Sequence, residues 1–165
     1  MKVVAIGFSS SSIKLLEVFD GSNFIDESYL GSSSNQEYKN VKGIKNLNIN
    51  NFLKENWRNV NVFIFIGSVG ATTRLISSFI SSKGYDPGVI VTDKRGSKII
   101  PVLNLHHNQT KNIALKLHNL IGGEIVETNN SSVENLLNLD SFGENWGWRR
   151  SGSTKDWSKL VINQS

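Results

Sequence analysis

Short, continuous apolar runs that end at a glycine or a turn constrain the fold of this chain most strongly. They occupy residues 2–8 (KVVAIGF), residues 60–67 (VNVFIFIG) and the start of residues 88–104 (GVIVTDKRGSKIIPVLN). Apolar runs of this length without polar alternation are typical of strands that are buried on both faces. We therefore expect a sheet whose central strands are covered by helices on both sides.

Helical patterns alternate with these runs. They cover residues 12–19, 48–59, 72–84 and 108–123, with the serine run 9–12 able to cap the first helix and Gly84 as the stop of the third. The predicted inward positions are Ile13, Leu16, Val18, Phe19, Phe52, Leu53, Trp57, Leu75, Ile76, Phe79, Ile80, Ile113, Leu117 and Leu120. This alternation predicts an α/β fold with an open, mainly parallel sheet in a Rossmann-like three-layer arrangement. The turn DKRG predicts one antiparallel pair near residues 89–103.

The remaining segments of the first 140 residues are less patterned. Residues 23–30 (NFIDESYL) are predicted as an edge strand, residues 31–43 as a loop, and residues 124–128 (EIVET) as a last short strand. We expect one α/β domain over residues 1–140 and a tail or linker over residues 141–165.

The tail concentrates large apolar side chains. Residues 141–165 hold three of the four tryptophans of the chain, at positions 146, 148 and 157, together with the pair Arg149-Arg150. Clustered tryptophans usually mark a contact surface. We expect the tail to cover part of the domain or to meet a partner domain.

Composition excludes several classes of function. The chain has 165 residues, no cysteine and a formal net charge of +4, so disulfides and thiolate metal sites are excluded. No apolar run approaches the roughly 18 residues that span a bilayer, and the N-terminus does not resemble a signal peptide, so we expect a cytoplasmic protein without membrane contact. Lysine and arginine are scattered, so the charge makes a small polyanion as good a partner as nucleic acid. Aromatic residues are not interleaved with basic residues outside the tail, so we expect no nucleic acid.

A glycine-rich turn after the second buried strand is the first candidate site. The predicted substrate-binding residues of GSVGATTRL are Gly67, Ser68, Gly70, Thr72, Thr73 and Arg74. Ligands of open parallel sheets bind beyond the carboxyl ends of the strands, and free N–H groups of a helix N-terminus accept anions there. We place Arg74 in the first helical turn, where its charge is unfavourable unless an anion binds. The alternative is that the glycines only permit close packing and a threonine caps the helix.

His106 and Asp93 are the candidate catalytic residues. His106 and His107 fall between a predicted strand and a helix, which we place at the same carboxyl edge. A neutral imidazole there could act as a general base or hold the metal of a bound ligand, or a histidine could simply cap the helix. Asp93 could be a catalytic carboxylate, or it could stabilise the tight turn. Adjacent histidines without a nearby carboxylate do not form a metal site, so neither a metal nor a cofactor is expected.

Residues 67–129 as a whole resemble the N-terminal part of the CbiG family of cobalamin-biosynthesis proteins. The matching residues follow the family pattern in order: Gly67, Gly70, Arg74, Asp86, Pro87, Asp93, Gly96, His106, Ala114 and Gly122. Residues 142–161 resemble the segment that leads into a fused precorrin-3B methyltransferase in cyanobacterial members.

The resemblance implies a role in cobalamin synthesis. CbiG proteins open the lactone of cobalt-precorrin-5A and release acetaldehyde, so a carboxylate-rich corrin-pathway intermediate is the expected ligand. The alternative is a non-catalytic module that presents this intermediate to a precorrin methyltransferase. The chain departs from the family pattern at Leu105, Asn108 and Gln109, where the family has glycines. Larger side chains there would crowd a ligand, so we predict that this chain alone does not hydrolyse the lactone.

Overall fold

The structure is a computed structural model that describes residues 1–19, 21–26, 40–44, 46–82, 84–105 and 107–126. The described strands are β1 (Val3–Gly7), β2 (Ser22–Asp26), β3 (Val41–Ile44), β4 (Val62–Ile66), β5 (Gly88–Thr92), β6 (Lys98–Leu103) and β7 (Glu124–Ile125). The described α-helices are α1 (Ile13–Leu16), α2 (Ile49–Asn56), α3 (Val69–Ile76) and α4 (Asn108–Ile121). The predicted tail at residues 141–165 lies outside the described residues.

The strands form one seven-stranded sheet in the order β3-β2-β1-β4-β5-β6-β7. All neighbouring strands are parallel except β5 and β6, which pair antiparallel, with Thr92 opposite Ile99. The predicted open, mainly parallel sheet and its antiparallel pair are therefore confirmed. Since β7 is parallel to β6, these two strands run opposite to the other five.

Two apolar cores cover the two faces of the sheet. On one face, α1 and α4 pack against alternate residues of the central strands, among them Ala5, Ile64 and Ile90. On the other face, α2 and α3 pack against the intervening residues, among them Ile6, Phe65 and Val91. Every residue of β4 and of β5 is buried, as the unbroken apolar runs predict for strands enclosed by two helical layers.

Two predictions about the first half of the chain need correction. β2 is not an edge strand, because it pairs with β1 on one side and β3 on the other. The edge strand is β3, whose residues 41–43 were assigned to a loop. Its sequence, VKGI, contains a glycine and a lysine, and such a short, polar run is typical of an edge strand.

The helices also differ from the predicted ones in detail. α3 begins at Val69, capped by Ser68, and ends at Ile76, so neither a threonine cap nor a stop at Gly84 is correct. The predicted inward residues Val18, Ile80 and Leu120 are 43%, 45% and 53% exposed. Val18 follows the end of α1, Ile80 follows the end of α3, and Leu120 lies in the last turn of α4.

Candidate functional site at the carboxyl edge of the sheet

The carboxyl ends of β1, β4 and β5 meet at one edge of the sheet, which we call the carboxyl edge. After β1 the chain continues to β2 on one side, whereas after β4 it continues to β5 on the other side. The gap between β1 and β4 is therefore a topological switch point, the place where open α/β sheets bind their ligands. Two loops flank it, residues 8–12 and residues 67–68.

The turn at Gly67 opens directly into the N-terminus of α3. The Ser68 hydroxyl accepts a hydrogen bond from the Ala71 N–H at 3.2 Å, and the first helical bond runs from the Thr72 N–H to the Ser68 carbonyl at 3.1 Å. The N–H groups of Val69 and Gly70 come before that first helical bond. In a helix N-terminus such groups are available to an anion, and here they lie at the switch point.

Gly67 allows the two loops of the switch point to approach each other. A Cβ atom at position 67 would lie 3.2 Å from the Phe8 ring, which is tighter than an ordinary van der Waals contact. The Phe8 ring also stacks on Phe65, with ring centroids 6.0 Å apart. The absence of a side chain at Gly67 therefore permits close packing, as the alternative interpretation predicts, and this packing lies at the carboxyl edge.

Arg74 lies in the last turn of α3, so its predicted place in the first turn is wrong. The cause is the earlier start of the helix at Val69. A cation near a helix C-terminus is favourable, so the backbone position of Arg74 carries no dipole penalty. However, helical side chains point towards the N-terminus, and Arg74 Nη1 lies 3.4 Å from the Gly70 carbonyl oxygen. The exposed guanidinium therefore reaches back to the first turn.

The two threonines of the turn are placed differently from Ser68 and Arg74. The Thr72 side chain is fully buried, and the Thr73 hydroxyl donates to the Val69 carbonyl at 2.9 Å. A ligand at this edge would therefore meet Ser68, Gly70 and Arg74 before either threonine hydroxyl.

Asp93 follows β5 at the same edge and stabilises the β5–β6 turn. Its carboxylate accepts hydrogen bonds from the Ser97 N–H at 2.7 Å, from the Arg95 N–H at 3.2 Å and from the Ser97 hydroxyl. Burial by itself would raise the pKa of Asp93, but the hydrogen bonds from Ser97 and Arg95 outweigh it and hold the pKa below 3.8. The turn interpretation accounts for these contacts, and a catalytic role for Asp93 stays a prediction.

The histidine segment lies at the opposite edge, which we call the amino edge. Because β6 runs antiparallel to β5, its last residue, Leu103, pairs with Val89 near the start of β5. Asn104 donates from its side chain to the Asp86 carbonyl at 2.7 Å, just before β5. The predicted placement of His107 at the carboxyl edge is therefore wrong. His107 is the N-cap residue of α4 and makes no side-chain cap bond; His106 lies outside the described residues.

The length of the sheet separates the two candidate clusters. Five residues of β5 lie between the two edges, which at about 3.3 Å per residue is roughly 16 Å. The structure brings Asp93, Gly67 and Arg74 to one edge and does not bring the residues flanking His106 to them.

Sequence reasoning missed a serine cluster at the carboxyl edge. The Ser9 hydroxyl lies 2.8 Å from the Ser11 hydroxyl and 3.3 Å from the Ser12 hydroxyl, directly after β1. The prediction that this run caps the first helix is wrong, since Ser12, the N-cap residue of α1, makes no side-chain cap bond. The run's position after the first buried strand was the signal that could have assigned it to the switch point. Within the described ranges, no group of three metal-binding side chains occurs.

The fold defines a doubly wound α/β domain whose switch point lies between β1 and β4. The chain belongs to the CbiG family: residues 51–132 match the family model described as cobalamin synthesis G N-terminal. That match includes Gly67, Arg74 and Asp93. The helices of the described ranges include none long and apolar enough to cross a membrane.

Two curated relatives are cobalt-precorrin-5A hydrolases. The one from Priestia megaterium is 32% identical over 85 residues, which are 52% of this chain and 23% of the relative. The one from Salmonella typhimurium is 28% identical over 92 residues, which are 56% of this chain and 26% of the relative. The matched region thus spans about a quarter of each relative. The likeness to methyltransferase fusions stays a prediction.

A solved structure supports the fold. A cobalamin biosynthesis protein G homolog from Sulfolobus solfataricus superposes with a TM-score of 0.53 at 18% identity, covering 81% of this chain and 39% of that chain. At this identity the likeness concerns the fold.

Proposed function

We propose that this chain binds a carboxylate-rich corrin-pathway intermediate at the carboxyl edge, between β1 and β4. The observation that carries the proposal is the convergence of the uncapped Val69 and Gly70 N–H groups with the Arg74 guanidinium at the switch point. Peripheral carboxylates are the anions that such donors select, and charge-assisted bonds to arginine give them orientation.

Local charge supports the same ligand class. Lys94 and Arg95 are exposed in the β5–β6 turn, next to the carboxyl edge. Together with Arg74 they put three cations at the carboxyl edge. A ligand with several carboxylates would engage more than one of them, and each contact would add to its affinity.

The test is an absorbance titration with cobalt-precorrin-5A under anaerobic conditions. We expect saturable binding with one ligand per chain, and we expect affinity to fall as salt rises because the contacts are ionic. Binding that is insensitive to salt would contradict a carboxylate site at these cations.

A second candidate is a non-catalytic module that presents the intermediate to a precorrin methyltransferase. One observation favours it: the residues on both sides of His106 lie at the amino edge, about 16 Å from Asp93. Lactone opening needs a base and an oxyanion donor within about 3 Å of the reacting atoms. The residues flanking His106 and the N–H donors of α3 lie at opposite edges, which favours binding without lactone opening.

Acetaldehyde release separates the two candidates. We expect the purified chain to release no acetaldehyde from cobalt-precorrin-5A above the no-protein control, while it still binds the compound. Release that disappears in both His106→Ala and Asp93→Asn would restore the hydrolase interpretation.

A further inference from the structure

A ladder of aromatic rings runs along the face of the sheet that carries α2 and α3. Successive ring centroids lie 5.7, 5.6, 6.0 and 6.0 Å apart, in the order Phe79, Trp57, Phe63, Phe65 and Phe8. Aromatic rings at such separations attract each other. The Trp57 end of the ladder lies at the amino edge, whereas Phe8 directly follows β1 and lies at the carboxyl edge.

Phe8 is the end of this ladder that reaches the switch point. Trp57, Phe63 and Phe65 are buried, whereas Phe8 is partly exposed. The planes of the Phe8 and Phe65 rings are 6° apart, so packing against Phe65 fixes the orientation of the Phe8 ring. A side chain whose orientation is already fixed loses little conformational entropy when a ligand binds to it. Phe8 is therefore a preorganised apolar surface beside the proposed site.

Gly67 brings this ring close to the anion donors of α3. A Cβ atom at position 67 would lie 3.2 Å from Phe8 Cδ2 and 3.7 Å from Phe8 Cε2, so a side chain there would press on the ring. Ser68 follows as the cap of α3, and the Val69 and Gly70 N–H groups come next. A ligand that is held by these N–H groups therefore has the Phe8 ring as an immediate neighbour.

We propose that Phe8 is a specificity-determining residue of the carboxyl-edge site and that its ring stacks on a flat, conjugated ring system of the ligand. This inference rests on the proposed function and adds a planar ring to the carboxylates that the ligand must carry. The Arg74 guanidinium and the N–H groups of α3 select negative charge, which any small polycarboxylate offers. Phe8 selects the planar ligands among them, because a flat π surface buries more apolar area on the ring and gains the stacking attraction.

Two probes with the same carboxylates test the requirement for planarity. Uroporphyrin carries acetate and propionate groups on a flat, conjugated macrocycle. Uroporphyrinogen carries the same groups on a macrocycle whose saturated bridges prevent planarity. We expect the full chain to bind uroporphyrin about tenfold more tightly than uroporphyrinogen. Equilibrium dialysis in the dark under anaerobic conditions measures both affinities.

Variants at Phe8 separate stacking on the ligand from packing within the fold. Phe8→Leu keeps an apolar side chain and should lower the affinity for uroporphyrin about tenfold, with the affinity for uroporphyrinogen unchanged. Phe8→Tyr keeps the ring and should retain the preference of the wild type. Phe24→Leu is the matched control, because Phe24 is a partly exposed phenylalanine on the same face of the sheet but stacks on Phe52. It should change neither affinity.

The outcomes distinguish this inference from the proposed function. Equal affinities of the wild type for the two probes, or an equal loss of both in Phe8→Leu, would mean that Phe8 only packs the end of the ladder, and the inference would be overturned. If Arg74→Ala leaves both affinities unchanged while Phe8→Leu stays selective, the carboxylate proposal fails and the stacking role stands. Binding of neither probe would overturn both.

Discussion

The two edges of the sheet use similar residue types for different purposes. At the amino edge, buried Asp86 accepts hydrogen bonds from the Trp57 indole at 3.2 Å and the Ser81 N–H at 2.9 Å, and the Asn104 side chain binds the Asp86 carbonyl. These groups are engaged with one another and join α2, the end of α3 and β5. At the carboxyl edge, by contrast, Arg74 is exposed and the first N–H groups of α3 precede the first helical bond.

This comparison shows that a residue on the family pattern can be either a ligand-binding residue or a packing residue. Asp86 and Arg74 both fall on the CbiG pattern. Asp86 is 7% exposed and stabilises the amino edge, whereas Arg74 faces solvent at the proposed site. We therefore expect substitutions at the amino edge to change the free energy of unfolding, and substitutions at the carboxyl edge to change ligand affinity.

The largest expected effect tests the close packing of the amino edge. A Cβ atom at position 88 would lie 2.1 Å from the Thr110 hydroxyl oxygen, so Gly88→Ala should lower the free energy of unfolding by about 3 kcal/mol. Gly84→Ala is the matched control, because nothing lies within 4 Å of its Cβ position. Urea denaturation measures the free energy of unfolding of both variants. Equal values would contradict close packing at the amino edge.

The next effect tests whether the carboxyl edge binds the ligand. Arg74→Ala should weaken cobalt-precorrin-5A binding by about 1.5 kcal/mol, roughly tenfold, which is the lower end for a charge-assisted bond because the guanidinium is exposed. Arg58→Ala removes an equally exposed arginine near the amino edge and should change affinity little. If both variants bind alike, the site is not at Arg74.

A smaller effect concerns the pH dependence of stability. The pKa of Asp93 is lowered in the folded state, so its carboxylate stabilises the fold above the unfolded pKa of 3.8, and this contribution is lost as pH falls through the folded pKa. Asp93→Asn keeps one acceptor and should cost about 1 kcal/mol at pH 7. The difference from wild type should shrink below about pH 4. If the difference in the free energy of unfolding is constant with pH, the charge of Asp93 is not its cause.

The smallest effect sharpens the assignment within the glycine turn. Thr73→Ala should change ligand affinity by less than about 0.5 kcal/mol, since the Thr73 hydroxyl already donates within α3. A tenfold loss, measured in the same titration, would mean that this hydroxyl turns towards the ligand, and the predicted role of Thr73 in binding would stand.

Much of the fold was predictable because burial on both faces leaves a simple pattern. β1, β4 and β5 were recognisable as unbroken apolar runs, and the DKRG turn indicated the antiparallel pair. β3 was not, because an edge strand buries little and its sequence resembles a loop. The start of α3 was missed because Val69 and Gly70 have low helix propensity, while Ser68 supplies the cap that begins the helix.

The sequence by itself determined the α/β class, the family and the glycine turn after a buried strand, since each depends on residues close together in the chain. The tertiary structure decided which edge each loop reaches. Strand direction depends on pairing between distant segments, and the reversal at β6 moves the histidine segment away from Asp93 and Gly67. It also decided that the Arg74 guanidinium lies at the first turn of α3, because that position depends on where the helix begins and on the direction in which helical side chains point.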